Sequence, residues 1–337
     1  MALNYTEIKK LADVLAAYVR LKHDYRMYID NKRKLLLVEG ITDKNFVGRV
    51  QAKCVDCITA ATVFSSNAQF RTNAPNITSR NCRNAIVTII SSISYCPSPF
   101  IMYPDDLDKW ELYGLVDLDY DEMNQSRPIQ RLLVTDTRDL ETMILSTDED
   151  LLIRLEKCEI SKDEVNKAYF LAYQLAVLRN LLGEYHEELC LLNISCGSRQ
   201  VAFPAFVRDY RINISDLINY INKESGYTVS AFRVKRMIDN ISNGKAGKKI
   251  IDADGNWKQQ LNDFMTSMPP DFWEIVNGHD ILQLLLYISA NAFMAFNDSQ
   301  GYSLNRTFEL SIIDEYNYSQ FEKTILKEKM FKAGLID

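Results

Sequence analysis

The stretch that decides the fold is Leu35-Leu36-Leu37-Val38-Glu39-Gly40-Ile41-Thr42-Asp43. Its four consecutive apolar residues, followed by a charged residue and a glycine, are typical of a short strand buried on both faces. Thr42 and Asp43 then favour the start of a helix that continues through Val50, because short polar side chains cap helix N-termini. A buried strand followed directly by a helix is the repeating unit of a parallel α/β sheet.

The same succession recurs further along the chain. A second buried strand is predicted at Tyr113–Val116 and a third at Leu132–Val134, with a helix through Leu145 after the third. Three more elements are expected around them: a helix over residues 5–30, a short strand at Ala61–Phe64 and a helix over Ser79–Ser94. The alternation predicts an α/β fold with a mostly parallel sheet flanked by helices.

The character of the chain changes near residue 148, where long helical patterns begin. They are predicted at Lys162–Glu188, Ile214–Ser225, Ala231–Ile241 and Asp280–Phe296. We therefore predict three parts: an N-terminal helix at 1–30, an α/β domain at 31–148, and a mainly helical domain at 149–337. A late segment of the helical domain, residues 278–290, is expected to contribute to the site.

Composition limits the class of protein. With 337 residues, 47% of them hydrophobic and 25% charged, the chain is neither disordered nor fibrous. The net charge of -6 argues against a passive nucleic-acid coat, but not against a nuclease, whose site is itself acidic. The irregularly spaced seven cysteines and the missing signal and membrane-spanning patterns predict a reduced, cytoplasmic protein without a membrane partner.

Acidic residues stand at the ends of three consecutive predicted strands, where α/β proteins place catalytic groups. Glu39 follows the first strand, Asp117 and Asp119 follow the second, and Glu141 lies one turn into the helix after the third. Asp43 is expected in the first turn of the helix that follows the first strand. Carboxylates that converge in one cleft repel each other, and an all-oxygen ligand set suits Mg²⁺ or Mn²⁺.

This ordered set resembles the Toprim domain, the metal site of topoisomerases, DnaG primases and OLD-family nucleases. The Toprim signature is a Glu after the first strand and an Asp-x-Asp after a later one, as in Glu39 and Asp117-Leu118-Asp119. The chain looks most like the small OLD-like Toprim proteins of bacterial anti-phage defence, such as the effectors of PARIS-type systems. Their Asp-x-Glu helix and late Gly-(Lys/His)-Asp motif match Asp139-Leu140-Glu141 and Gly278-His279-Asp280.

The resemblance implies a Toprim-like fold and metal-dependent hydrolysis of phosphodiester bonds in tRNA or DNA. Glu39 would also serve as a general base, and His279 would stabilise charge on the phosphate. Hydrolysis is preferred over strand passage because no region resembles the domain that carries the topoisomerase tyrosine. Two Mg²⁺ or Mn²⁺ ions would be held by Glu39, Asp43, Asp117, Asp119 and Glu141.

The expected partners follow from the same resemblance. OLD and PARIS proteins work with an ABC-type ATPase, and this chain has no nucleotide-binding loop, so we expect a separate ATPase partner. A homodimer is expected because nucleases often use paired sites. The segment Gly244–Lys249 lacks the spacing of a phosphate-binding loop and is interpreted as an exposed basic turn. Nucleic acid is expected to contact Arg233, Lys235, Arg236, Lys248 and Lys249.

Simpler interpretations of the same residues stay open. The acids could be turn formers and helix caps of an ordinary α/β scaffold, and His279 could cap the helix that follows it. The chain could then be a catalytically silent regulatory subunit with a Toprim fold. Primase-like nucleotidyl transfer would share the metals but would also consume nucleoside triphosphates.

Overall fold

The structure is a computed structural model of the chain. It describes residues 34–50, 55–60, 82–95, 111–118, 129–182, 207–225, 228–241, 256–289 and 304–337. Several predicted features lie outside these residues: the helix over 5–30, the strand at Ala61–Phe64, the metal ligand Asp119, and the basic pair Lys248 and Lys249.

The chain divides into two compact units. The first comprises residues 1–148 together with Leu310–Asp337, and the second is Glu149–Glu309. The sequence analysis places everything after residue 148 in one helical domain, and the structure differs at the C-terminus. Residues 310–337 return to the first unit because their apolar side chains complete its core, a partnership that no local pattern reveals.

The first unit is built on a four-stranded sheet in the order β2-β1-β3-β4, in which every neighbouring pair is parallel. The strands are β1 (Lys34–Val38), β2 (Val55–Thr59), β3 (Glu111–Val116) and β4 (Leu132–Val134). The apolar run of β1 is fully buried, as its composition predicts. Strand β2 was not predicted, because Asp56 interrupts its short apolar pattern.

Helices follow the strands of the first unit. They are α1 (Ile41–Arg49) after β1, α2 (Cys82–Tyr95) before β3, and α3 (Leu140–Thr147) after β4. Helix α1 buries Phe46 and Val47 against the rest of the unit. The parallel sheet with following helices confirms the predicted α/β architecture at this level.

Residues 310–337 complete the core of the sheet unit. They include the end of α11 (Leu304–Asp314), α12 (Tyr318–Phe321) and α13 (Ile325–Lys332). The ring of Phe46 meets the edge of the Phe321 ring at a centroid distance of 5.3 Å. At the start of α13, the N–H of Ile325 donates to Asp136 Oδ2 at 2.5 Å. At its end, Lys34 Nζ donates to the carbonyl of Ala333 at 2.5 Å.

The second unit is mainly helical. Its long helix α5 (Lys162–Leu182) is buried along most of its length. Every residue of the segment Leu171–Leu178 is buried, so this part of the helix is enclosed all round. The remaining elements are α4 (Leu151–Lys157), the strands β5 (Val207–Arg208) and β6 (Arg211–Ile212), α6 (Ile214–Ser225), α7 (Ala231–Ile241), α8 (Trp257–Thr266), α9 (Phe272–Ile275) and α10 (Gly278–Ile288). The predicted bounds of α6 and α7 are confirmed. Within the described residues, no helix is long and apolar enough to cross a bilayer.

The sheet packs so closely against α2 that one position in β3 has room only for a glycine. A Cβ atom added at Gly114 in β3 would lie 2.6 Å from Ile86 Cγ2 and 2.9 Å from Ile90 Cγ1. Both isoleucines belong to α2 and are fully buried, so they have little room to move. A glycine is therefore required here for close approach rather than for backbone freedom.

We predict that Gly114→Ala destabilises the protein by about 1–3 kcal/mol, the usual cost of overpacking a core. Urea denaturation followed by circular dichroism measures this free energy of unfolding. The matched control is Gly48→Ala in α1, where an added Cβ meets nothing within 4 Å. That variant should equal or exceed the wild type by up to about 1 kcal/mol, since alanine favours helix. Equal stability of Gly114→Ala and the wild type would contradict the close packing.

Candidate functional site

The strand order creates a switch point between β1 and β3. Strand β1 connects onward to β2 on one side, while β3 lies on its other side. Open α/β sheets bind ligands in the crevice beyond the carboxyl ends of the strands at such a point. Glu39 is the first residue after β1, and Asp117 is the first residue after β3. The two acids of the predicted motif therefore flank the switch point.

Glu39 and Asp117 are in direct contact. The register of the parallel pair sets Val38 opposite Leu115, and the N–H of Asp117 donates to Glu39 Oε1 at 3.2 Å. This hydrogen bond holds one carboxylate oxygen of Glu39 at the end of the neighbouring strand. The predicted convergence of these two residues is found in the structure.

The Asp117 side chain is also hydrogen-bonded to helix α3. Its Oδ1 accepts a hydrogen bond at 3.0 Å from the N–H of Leu140, the first residue of α3. Arg83 on α2 donates from Nε to the Asp117 carbonyl at 3.1 Å and from Nη2 to the Leu118 carbonyl at 3.4 Å. Asp117 thus lies where β3, α2 and α3 meet.

Strand β3 ends at Val116, so Asp117 lies after the strand rather than within it. Both Asp117 and Asp119 are likewise predicted to follow this strand. Alternation along a strand does not apply beyond its end, and Asp119 lies outside the described residues. Its role as a metal ligand stays a prediction.

Asp43 closes the first turn of α1. Its Oδ2 accepts the N–H of Gly40, the N-cap residue, at 2.8 Å. This is one half of a capping box, in which a side chain at the third helical position bonds back to the cap. The helix-capping interpretation of Asp43 is therefore correct as far as this contact goes, and it coexists with the charge of Asp43 acting on Asp117.

Helix α3 adds two buried carboxylates. Asp139 is its N-cap and accepts the N–H of Thr142 through Oδ1 at 2.8 Å. Glu141 is the second residue of the helix, and only 4% of its surface is exposed. Asp139 belongs to a predicted motif but is not among the predicted site residues. Its capping position before an apolar helix was the available signal.

The electrostatics of Asp117 show how close these acids are. Burial is the largest cause that raises the pKa of Asp117 well above its ordinary value. The negative charges of Asp43, Glu141, Glu39 and Asp139, in that order, raise this pKa further. The free energy cost of ionising Asp117 is what a bound divalent cation would relieve.

Cys82 is a neighbour of the same acids that the sequence analysis did not single out. It is the first residue of α2 and is buried. Burial, followed by the charges of Glu39 and Asp43, raises the pKa of its thiol to about 11. A thiol with this raised pKa is protonated at neutral pH.

The late Gly278-His279-Asp280 motif forms the first turn of α10 in the second unit. Asn277 caps this helix through a bond from the Asp280 N–H at 3.2 Å, so the alternative that His279 caps it is wrong. Asp280 is buried in a two-pronged ion pair with Arg179 of α5. His279 Nδ1 lies 3.5 Å from Glu309 Oε2, and its side chain is about half exposed. The catalytic role of His279 stays a prediction.

The predicted nucleic-acid contacts on α7 share one exposed surface. Arg233, Lys235 and Arg236 are all exposed, while Val234 and Met237 are buried. Phe232 beside them is 74% exposed, which is unusual for a large aromatic side chain. We call these four exposed residues the α7 face. The sequence pattern predicted its cations, but Phe232 was missed because helical periodicity alone did not reveal its exposure.

Comparison of the chain with protein-family models and with curated proteins finds no match.

We predict that Asp117→Asn stabilises the metal-free protein, and that this gain grows as the pH rises from the ordinary aspartate pKa towards the raised pKa of folded Asp117. The unfolded chain releases the Asp117 proton near the ordinary aspartate pKa, whereas the folded chain keeps it to a higher pH. Between these values the folded state binds more protons, so wild-type stability falls with rising pH. Asparagine removes this loss and can still accept the Leu140 N–H.

Urea denaturation in EDTA at several pH values provides the measurement. The control is Glu322→Gln, a carboxylate-to-amide change at an exposed residue of the same unit. Its difference from the wild type should not follow the pH in this way. A pH-independent difference for Asp117→Asn would mean that Asp117 ionises as an ordinary aspartate.

Proposed function

We propose that the chain is a metal-dependent nuclease of the Toprim type, which hydrolyses phosphodiester bonds of tRNA or DNA. The observation that supports this most is the meeting of Glu39 and Asp117 at the switch point of a parallel sheet. Asp43, Asp139 and Glu141 add their charges around Asp117. The resemblance described above supplies the reaction, and the geometry supplies a place where it could occur.

The residues at the switch point fit a divalent cation. The charges that shift the pKa of Asp117 are those of carboxylates, and each of them raises it. A set of oxygen ligands around a half-buried site is the donor chemistry of Mg²⁺ and Mn²⁺. We propose that Glu39, Asp43, Asp117 and Glu141 hold the metal. Bound there, the metal would supply Lewis-acid activation of water and neutralise charge at the phosphate.

The protein's own contribution is to hold these oxygens in place before substrate arrives. The Asp117 N–H donates to Glu39 Oε1, which joins the ends of β1 and β3. The Leu140 N–H donates to Asp117 Oδ1 at the start of α3. Arg83 fixes the chain around Asp117 by donating to two successive carbonyl groups. Such preorganisation lowers the cost of arranging ligands during the reaction.

Nucleic-acid binding is proposed for the α7 face. Its three cations can neutralise phosphates, and the exposed ring of Phe232 can stack on an unpaired base. This combination favours single-stranded segments, such as a tRNA loop, over a rigid duplex. The binding proposal rests on exposure and charge, and it is separate from the metal proposal.

The cellular role is proposed from the resemblance alone. On that basis the chain is the effector of a bacterial anti-phage defence system, works in the cytoplasm as a homodimer, and is held in check by a separate ABC-type ATPase. Regulation by a partner would explain how a cell tolerates a nuclease between infections.

We predict that Mn²⁺ or Mg²⁺ raises the melting temperature of the wild type by about 2–6 °C at saturating concentration. The increment should disappear in Glu39→Gln and in Asp117→Asn, because each loses a proposed ligand charge. Differential scanning fluorimetry with and without EDTA measures it, and Glu322→Gln should keep the full increment. An increment that survives in both variants would place metal binding elsewhere.

We predict metal-dependent cleavage of total tRNA or plasmid DNA, reduced about 100-fold or more in Glu39→Gln and Asp117→Asn. Gel assays with Mg²⁺ or Mn²⁺ measure it, with and without a purified ABC-type ATPase. Glu322→Gln should cut like the wild type. Cleavage in EDTA, or equal cleavage by the variants, would contradict the proposal. No cleavage under any condition would favour the silent regulatory subunit.

We predict that Arg233→Gln combined with Arg236→Gln weakens tRNA binding about tenfold at low salt and flattens its salt dependence. Removing cations lowers the number of counterions released, which reduces the salt slope. Fluorescence anisotropy at several salt concentrations measures both quantities. Lys162→Gln is the control, since Lys162 is exposed on another helix of the same unit. Equal slopes would remove the α7 face from the binding surface.

A further inference from the structure

The second unit contains a cavity of about 500 Å³, which the proposed nuclease site does not use. Its walls come from the hairpin of β5 and β6, the start of α6, and one side of α8. We call it the basic cavity because Arg208, Arg211 and Lys258 line it. Among its described lining residues none carries a carboxylate. The volume is in the range of pockets that hold small organic ligands.

The hairpin sets two of these cations side by side. Asp209 and Tyr210 both have positive φ angles, 49° and 59°, as the two-residue turns of tight hairpins do. The register then places Arg208 directly opposite Arg211. Like charges at opposite positions of an antiparallel pair destabilise it unless a counter-charge is present. Asp216 supplies a counter-charge for Arg208, and an anion in the cavity would supply one for Arg211.

Neighbouring side chains hold the cations around the cavity. The Arg211 guanidinium lies over the Phe170 ring at 5.3 Å from its centroid, and Lys258 Nζ lies 5.6 Å from the centroid of the Trp257 ring. Arg208 forms an ion pair with Asp216 at 2.6 Å, which offsets one of the three positive charges. Aromatic support leaves the N–H donors of Arg211 and Lys258 able to bind a further acceptor.

The start of α6 adds backbone donors to the same wall. Asn213 precedes the helix, and its side chain accepts the N–H of Asp216 at 3.0 Å. The first intrahelical bond runs from the Leu217 N–H to the Asn213 carbonyl at 2.9 Å. Ile214 and Ser215, in the first turn, both line the cavity. First-turn N–H groups and the helix dipole favour a negative group at this position.

A buried glutamine fixes the walls relative to one another. Gln174 on α5 is only 1% exposed. Its Oε1 accepts the Ile212 N–H of β6 at 2.8 Å, and its Nε2 donates to the Met265 carbonyl of α8 at 3.3 Å. One side chain therefore ties the hairpin to α8 across the long helix. This tie fixes the hairpin relative to α8, and the basic cavity between them opens to solvent, where its three cationic side chains are exposed.

We propose that the basic cavity binds a phosphate-bearing ligand of mononucleotide size. The cations and the α6 N-terminus would hold the phosphate. The Asn262 amide and the Gln259 side-chain oxygen, which also line the cavity, could bond to a base or ribose, while Gln259 Nε2 donates to Asp263 Oδ1 at 2.7 Å. A free nucleotide and one nucleotide of a longer strand present the same chemistry. The proposal involves none of the acidic residues at the switch point, so it stands or falls independently of the nuclease.

Isothermal titration calorimetry of the full chain in EDTA, where metal-dependent cleavage is blocked, tests the proposal. The probes are 5′-AMP, adenosine and a 12-nucleotide single-stranded RNA. We expect 5′-AMP to bind at least tenfold more tightly than adenosine. Tighter binding of 5′-AMP than of the RNA would identify a free nucleotide as the ligand, and the reverse order would identify a strand. Equal affinity of the protein for 5′-AMP and adenosine would overturn the proposal. It would also be overturned if neither 5′-AMP nor the RNA bound to the protein.

Two variants locate the binding. Arg211→Gln combined with Lys258→Gln should weaken 5′-AMP or RNA binding at least tenfold. Lys258→Gln alone changes an exposed side chain, should leave folding intact, and should weaken binding severalfold. Lys162→Gln should bind like the wild type. If the Lys258→Gln and double variants fold, by circular dichroism, and bind with wild-type affinity, the basic cavity is not the site.

Discussion

The parallel pairing of β1 with β3 is the constraint on which the candidate site depends. It sets Val38 opposite Leu115 and so brings Glu39 and Asp117 within hydrogen-bond distance. Carboxylates do not gather by themselves, because like charges repel. The free energy comes from burial of the apolar strand residues, about 1.5–3 kcal/mol for each large side chain. The raised pKa of Asp117 reflects the free energy needed to ionise this side chain where it is buried beside other carboxylates.

The returning C-terminal segment supports the helix that carries Asp43. Phe46 of α1 packs against the rings of Tyr316 and Phe321, and the segment is fastened at Asp136 and at Lys34. Residues far apart in the chain therefore contact the middle of α1, the segment after β4 and the start of β1. The candidate site rests on this closure as much as on the sheet itself.

The two units carry opposite chemistry within a chain of net charge -6. Acids surround Asp117 in the first unit, and the basic cavity and the α7 face lie in the second. Net charge describes neither surface, because each is set by which side chains the local fold exposes or buries. An acidic total is thus compatible with the phosphate binding proposed for both units, through metal ions in the first and through cationic side chains in the second.

The sequence by itself determined the elements whose signal is local. Apolar spacing predicts the buried run of β1 and the bounds of α6 and α7. It also predicts strand β3, which Asp117 follows, and strand β4, which Thr135 follows. Tertiary structure alone decided the order of the strands, the existence of β2, the return of residues 310–337 to the sheet, and the pairing of Arg208 with Arg211 across a tight hairpin. The physical reason is that periodicity records which face of an element is buried, whereas the identity of its partner depends on packing between residues distant in the chain.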